Sequence, residues 1–488
     1  MQRMKFVVPV ALGVLLAACG GGGGGDGGGG GGGTAAPATL TLSTSAAKVR
    51  VGEPVTLTWN ASNVTSCQGA DAWSGSQVAS GSASITPTAG GKFTYTLNCT
   101  GASGTVSQSV QVTVPMPVLA TSYENRMAAG NQSAGKGLPS RPPGYLTSAT
   151  AYGDFFQDGI YAMVSHTLEY DPANASTANA FGHVAFFAKD AAGKWVDRTS
   201  ELLADTQACL HPRKASIADF NGDGQPDVFF ACHGFDASPF PGERPHVLLS
   251  QPSGKYKNVT LPQACFCHSA SAADLNGDGK PDVVVTDTSA ALKPYVLIND
   301  GNGETFTQDF GRLPASLNGG GMVYSLELID TGSGKPDLFF GVGTPPGSDP
   351  ANPSPPGAVP NGILKNDGDG RFLATTIQAL PNPPGSTGIT YGLALDFMVV
   401  NGYVYYPQIN NAWDASNPFY ANTIVHKARL SDLSVTTLYE HFGAYNNSIT
   451  WFPWLALGTD GKMNVECDQY VYDPATLPGS SCGVSFPL

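Results

Sequence analysis

Asp219-Phe220-Asn221-Gly222-Asp223-Gly224-Gln225-Pro226-Asp227 and Asp274-Leu275-Asn276-Gly277-Asp278-Gly279-Lys280-Pro281-Asp282 are near copies of one another. Both read D-x-N-G-D-G-x-P-D, and both lead directly into apolar runs, Val228-Phe229-Phe230 and Val283-Val284-Val285. Side-chain oxygens at positions one, three, five and nine, with the carbonyl of position seven (Gln225 or Lys280), wrap one hard cation. The glycines let the backbone turn tightly enough to aim those oxygens inward. The spacing predicts two calcium sites, and the recurrence predicts a repeat protein. An EF-hand requires Glu at position twelve and a following helix. Here position twelve is Phe230 or Val285, and the run after each loop is β-like.

Outward from these loops, first carboxylates or their equivalents recur at Asp154, Asp219, Asp274, Asp330, Asp396 and a degenerate position near Asp460, at spacings of 65, 55, 56, 66 and 64 residues. Each interval reads strand, acidic loop, strand, variable loop, strand, tight turn, strand. Asn299-Asp300-Gly301-Asn302-Gly303 and Asn366-Asp367-Gly368-Asp369-Gly370 are hairpin turns, because no carboxylate follows at position nine. Four strands per repeat, none able to bury its own faces, predict an all-β fold built around a calcium-loop β-propeller. Six blades are recognisable. Residues 116–145 hold either a seventh blade or the strand that completes the last one. Residues 330–337 keep the outer carboxylates around a shortened loop, which predicts a third, weaker site at Asp330, Ser333 and Asp337. The Asp154 unit has Ala162 at position nine, and the Asp396 unit has Val399 and Val400 where ligands belong. Neither is expected to bind an ion.

These residues resemble the FG-GAP or VCBS-type repeat, the propeller class of integrin α-subunit heads and many bacterial surface proteins. The resemblance covers roughly residues 146–488. It implies ions that cross-brace blade hairpins on a lower rim, away from the partner-binding face.

The chain has 488 residues, 61 Gly, 37 Pro, 13% charged residues and a net charge of −13. That charge excludes a nucleic-acid partner, which needs a basic surface. Arg3 and Lys5 precede an apolar stretch, Phe6 to Leu16, too short to span a bilayer. Leu16-Ala17-Ala18-Cys19 resembles a bacterial lipobox. The resemblance implies lipidation at Cys19 and, with Gly20 following, outer-membrane sorting in a Gram-negative envelope. The signal and lipobox then take residues 1–19, and a Gly-rich flexible tether takes 20–37.

Residues 38–115 alternate apolar and polar positions in short runs, as in a β-sandwich. Leu57-Thr58-Trp59-Asn60 through Ser66-Cys67, then Tyr95-Thr96-Leu97-Asn98-Cys99, resembles bacterial immunoglobulin-like modules. That resemblance implies a spacer with a Cys67–Cys99 disulfide. The propeller is expected over residues 116–488.

With the calcium loops placed below, His211 and His268 precede first strands, His166 and His233 end second strands, and His183 and His246 begin third strands. All six map to the upper face, together with Cys209, Cys232, Cys265 and Cys267. In an oxidising compartment, eight cysteines besides Cys19 predict disulfides. The four upper-face cysteines allow three pairings, of which Cys265–Cys267 is least favourable on strain grounds. Cys467 pairs with Cys482 inside the last blade. The long upper loops 168–182, 235–245, 344–360 and 408–422 carry Tyr170, Phe181, Phe235, Phe240, Trp413, Phe419 and Tyr420.

The expected function is therefore that of a monomeric, membrane-anchored calcium-binding lipoprotein, periplasmic or surface-exposed. It binds a glycan or protein ligand through this face, with His211, His233, His246, His268, Trp413 and Tyr420 as candidate contacts. The alternative is a polysaccharide-acting or metal-dependent enzyme that uses His211, His233 and His268, since His suits zinc and copper. No G-x-S-x-G, phosphate-binding loop or H-E-x-x-H motif occurs. The single Asp330-Thr331-Gly332 lacks the second carboxylate that aspartic-protease chemistry needs.

Overall fold

The computed structural model describes residues 35–488 apart from 131–137, 139–145, 172–173, 289–292, 319–322, 344–358, 373–376, 384, 387–391, 410–421, 442–453, 459 and 467–483. The expectations for Cys19, Trp413, Phe419, Tyr420, Cys467 and Cys482 lie outside the described residues. No described helix is long and apolar enough to cross a membrane.

Strict alternation along Val55–Ser62 turns Val55, Leu57, Trp59 and Ala61 inward and leaves the residues between them exposed. This strand lies between Thr39–Thr44 and Ser80–Ile85. A second sheet runs Gly75–Gln77, Ser66–Asp71, Gly91–Gly101, Gly104–Val114. The two sheets share one core that includes Trp59, Leu97 and Val112, with Trp59 edge-on to Trp73 at 5.0 Å. Cys67 and Cys99 are direct cross-strand partners within the second sheet and form a disulfide there.

From residue 146 the described strands form six separate antiparallel sheets, and the first strands of the early sheets pack side by side around a common axis. The molecule is a repeat β-propeller. The second blade is typical: Pro212–Ala218, Asp227–Cys232, His246–Ser250 and Tyr256–Thr260 in sheet order. Its second strand is buried on both faces. Val228, Phe230 and Cys232 enter the core shared with the first blade, while Phe229 and Ala231 enter the core shared with the third. A strand that feeds two cores must be apolar at every position, which is why the runs after the acidic loops do not alternate. Each fully buried aliphatic or aromatic side chain there contributes about 1.5–3 kcal/mol. The last blade has three described strands, Trp454–Leu457, Met463–Glu466 and Val484–Phe486.

The expectation for residues 116–145 is corrected where they are described. Residues 116–130 supply neither a seventh blade nor a closing strand. Thr121-Ser122-Tyr123-Glu124 is instead a capping box: the Thr121 hydroxyl accepts the Glu124 N–H at 3.0 Å and the Glu124 carboxylate accepts the Thr121 N–H at 3.0 Å. It opens the helix Ser122–Ala129, which packs against the first strands of the first four blades and plugs the axial channel from below. Polar contacts anchor it. Asn125 Nδ2 donates to the Ile217 carbonyl, and the Ser122 and Ser271 hydroxyls meet at 3.0 Å. Arg126 forks onto Asp396 at 2.9 and 2.8 Å.

Candidate functional site

On the lower rim, the two full acidic loops are cages of inward-turned oxygens. Asp219 accepts the N–H groups of Asp223 (3.0 Å) and Gly224 (2.7 Å), and Asn221 Oδ1 accepts Asp223 N–H at 3.1 Å. Asp274 and Asn276 repeat this with Asp278 and Gly279. The turns require φ near +73 and +79° at Gly222 and Gly224, and near +75 and +82° at Gly277 and Gly279. Burial pushes the Asp227 carboxyl up to about 7 and Asp282 up to about 6. Asp282 Oδ2 is buried with no hydrogen-bond partner of good geometry among the described residues. Crowded, desolvated carboxylates, with an oxygen to spare on Asp282, fit a hard divalent cation, so the residues present suit calcium.

In the eroded repeats the protein supplies its own cations. Lys365 Nζ lies 2.7 Å from Asp337, whose second contact is the Thr331 hydroxyl at 2.8 Å. An ammonium thus meets Asp337, one of the three residues expected for the weaker third site, and Asp330 turns to the backbone N–H groups of Gly332, Ser333 and Gly334. Lys92 of the sandwich pairs with Asp158 at 3.1 Å, and Arg126 of the plug neutralises Asp396.

The opposite mouth of the channel is organised by β-bulges. The register of the first strands slips at Pro212/Lys214, Cys267/Ala270 and Val323/Ser325. The residues left over are Arg213, His268 with Ser269, and Tyr324. Bulges re-aim side chains, and here they gather at the axis. His211 sits just before its strand and His233 just after the neighbouring one. Their ring centroids are 4.8 Å apart, His233 and His268 are 4.3 Å apart, and His268 meets Tyr324 at 4.6 Å. One ligating atom from each of His211, His233 and Asp236 lies within 4.8 Å of the other two. Burial, then the nearby Arg213 charge, holds the His211 imidazole well below its usual range. His233 is held down by burial first and then by His268, His211 and Arg213, with the Gly234 backbone opposing. Burial also depresses His268, ahead of Arg213 and His211. Burial thus biases all three rings toward the neutral form.

The other predicted upper-face histidines are not brought into this group. His166 is a satisfied core residue, its Nε2 accepting the Cys209 N–H at 2.9 Å and its Nδ1 at 2.6 Å from the Thr167 carbonyl. His183 stands near Glu169, and His246 bonds Asn258 at 2.9 Å on the outer side of its blade. Cys209 pairs with Cys232, and Cys265 pairs with Cys267, the pairing judged least favourable from sequence. The correction has a local cause. Cys265 is held in a bridge with Glu243 while Cys267 opens the next strand, which leaves their Cα atoms 5.1 Å apart, a normal disulfide separation. The paired cysteines offer no thiolate to a metal.

Beside the histidines lies a cleft of about 340 Å³ between the loops 168–182 and 235–245, lined by Phe181, Leu210, Phe235, Pro241 and Glu243 among others. Leu210 and Gly234, which line it, are the chain neighbours of His211 and His233. Phe181 in its lining is 37% exposed, and Phe240, on the same 235–245 loop, is 46% exposed with its ring 5.5 Å from Phe266. Glu243 accepts the Leu210 N–H at 2.6 Å, and burial pushes its carboxyl up to about 7. The stability its neutral form contributes is fully present below its unfolded value near 4.5 and is lost as pH rises through about 7. Glu243→Gln is expected to flatten that part of the stability profile, read as a smaller loss of melting temperature between about pH 5 and pH 8 than in the parent protein. A larger hollow of about 630 Å³ borders Thr331 and Tyr403 near the lower rim. Its cations are already engaged, Lys365 with Asp337 and Arg429 with Asp432.

Sequence reasoning missed Arg213, Asp236, Tyr324 and Glu243 at this face, and the channel group Arg126, Lys214 and Glu327. The Thr121-x-x-Glu124 signature was the one available signal for the plug.

Residues 219–285 and 274–340 match the family described as FG-GAP-like repeat. The chain carries FG-GAP-like repeats on a repeat β-propeller. No curated protein matches it. Among solved structures, a GH43_1 enzyme from Xanthomonas citri is 12% identical over 52% of this chain and 81% of its own, with a TM-score of 0.34. The exotype rhamnogalacturonan lyase YesX is 12% identical over 85% and 86%, with a TM-score of 0.30. The Neurospora crassa Pan2 WD40 domain is 11% identical over 63% and 72%, with a TM-score of 0.31. Likenesses this distant carry no argument about activity.

Proposed function

We propose that this chain is a calcium-braced binding protein of the bacterial envelope that takes a glycan ligand on the upper propeller face. The observation that carries the reading is the cleft between the loops 168–182 and 235–245, lined by the exposed ring of Phe181 and by Phe235, with the part-buried carboxyl of Glu243 among its lining groups. Aromatic faces stack on the C–H faces of sugar rings, while a few convergent polar groups orient the hydroxyls. Calcium at 219–227 and 274–282 braces the opposite rim. Lipidation at Cys19 anchors the chain to the outer membrane. The Gly-rich tether and an immunoglobulin-like spacer lift the propeller from the surface. The net charge of −13 disfavours polyanionic ligands, which directs the reading toward neutral glycans.

Native affinity electrophoresis in gels containing neutral polysaccharides tests this. At least one polysaccharide is expected to retard the parent protein, and the double variant Phe181→Ser, Phe240→Ser is expected to run freely in the same gel. Retardation of both proteins to the same extent would remove the cleft from the account.

A further inference from the structure

We propose that His211, His233 and Asp236 form a binding site for a borderline divalent transition metal of the zinc type at the upper mouth of the channel. This site is separate in place and chemistry from the calcium loops. Nitrogen donors suit zinc, copper or cobalt and not calcium. One ligating atom from each residue already lies within 4.8 Å of the others. A tetrahedral ion with ligands about 2.0–2.1 Å away holds them about 3.3 Å apart, so small side-chain rotations close the set.

The second observation is that three of the four ring nitrogens are unspent. His211 and His233 are 2% and 0% exposed, yet His211 Nδ1 and both ring nitrogens of His233 have no hydrogen-bond partner of good geometry among the described residues. Buried polar nitrogens are normally paired, and His166, one blade away, uses both of its own. A ligand aimed between the two rings accounts for the difference. Phe266 and Tyr170 pack against the rings and supply the apolar shell that holds such ligands in place.

The other charged groups are consistent with three protein ligands and an open position. Arg213 NH1 stands 3.5 Å from His211 Nε2, a contact too long to set that ring's tautomer. Its positive charge lowers affinity for a bare dication and favours an anionic fourth ligand such as hydroxide or a carboxylate. Asp236 supplies the compensating negative charge. His268 spends Nδ1 on Thr288 at 2.6 Å and flanks His233 without joining the set. The site stands on its own observations and does not depend on what occupies the neighbouring cleft.

The test uses the full-length protein, stripped of metal, returned to excess calcium so that the acidic loops are filled, and titrated with Co(II). One equivalent is expected to give the visible ligand-field absorption of tetrahedral cobalt, which zinc then discharges. Asp236→Asn changes a half-buried loop residue. With its calcium-dependent melting retained, it is expected to weaken binding by more than the roughly 10–100-fold that loss of an outer-shell partner costs. His211→Gln is expected to do the same, and His246→Gln is expected to leave the absorption unchanged. Pulsed electron paramagnetic resonance on the Cu(II)-loaded parent protein is expected to count two imidazoles. Absence of the cobalt band in excess calcium, its persistence in Asp236→Asn and His211→Gln, or a count below two would overturn the proposal.

Discussion

Replacing Glu327 by alanine is expected to cost about 3–5 kcal/mol of unfolding free energy, read as an earlier midpoint in urea. Glu327 is 2% exposed at the centre of the channel. Its carboxylate lies 2.7 Å from Lys214 Nζ and 3.7 Å from Arg126, and it accepts the Ser271 hydroxyl at 2.8 Å. Burial alone would push the carboxyl up, but Lys214 and Arg126 more than offset it and hold it below its ordinary value. The group is therefore a charged hub joining the plug helix to the second, third and fourth blades. Among the described residues, removing the carboxylate leaves Lys214 with the Leu326 carbonyl, and Arg126 with Asp396 and the Phe397 carbonyl. An exposed pair such as Lys462 with Asp460 offers the contrast, since breaking a surface pair changes stability little. A Glu327→Ala protein that loses less than about 1 kcal/mol would mean that the plug is not a structural element.

Chelation of calcium is expected to lower the melting temperature. Extracellular modules of this kind bind with dissociation constants of about 10⁻⁴–10⁻³ M. At millimolar calcium, mass action then contributes about 0.4–1.4 kcal/mol for each filled loop. Chelation also restores repulsion among the carboxylates at each cage. Part of the effect is expected to reach the sandwich, because Arg50 donates to the Asp223 carbonyl of the first loop at 2.7 Å. Calorimetry with and without chelator measures this directly. An unchanged melt in excess chelator would contradict the calcium reading of both loops.

The acidic loops and the blade count were legible because their signals are local. A D-x-N-G-D-G-x-P-D run carries its own turn, and the apolar run after it reports a strand buried on both faces. The histidine cluster was legible only in part. Strand order puts His211, His233 and His268 at one rim, but the bulges that gather Arg213, His268 and Tyr324 are mismatches between two paired strands, and no single stretch of sequence encodes them. His246 shares the rim yet faces its own blade. The plug helix is short, and its charged partners Glu327 and Asp396 lie some 200–270 residues away in sequence, so neither pairing leaves a local trace. Lys365 shows the same limit. It reads as an ordinary strand residue until the fold carries its ammonium to Asp337.

The central claim is that the acidic loops brace the propeller while recognition lies on the opposite face. One glycan array probed in millimolar calcium with the parent protein, Phe181→Ser/Phe240→Ser and Asp278→Ser tests it most directly. The account predicts a defined set of neutral glycans bound by the parent and by the Asp278 variant, and lost from the double phenylalanine variant. Binding that survives the double change and disappears with Asp278→Ser, or an array on which the parent protein binds no glycan, would contradict it.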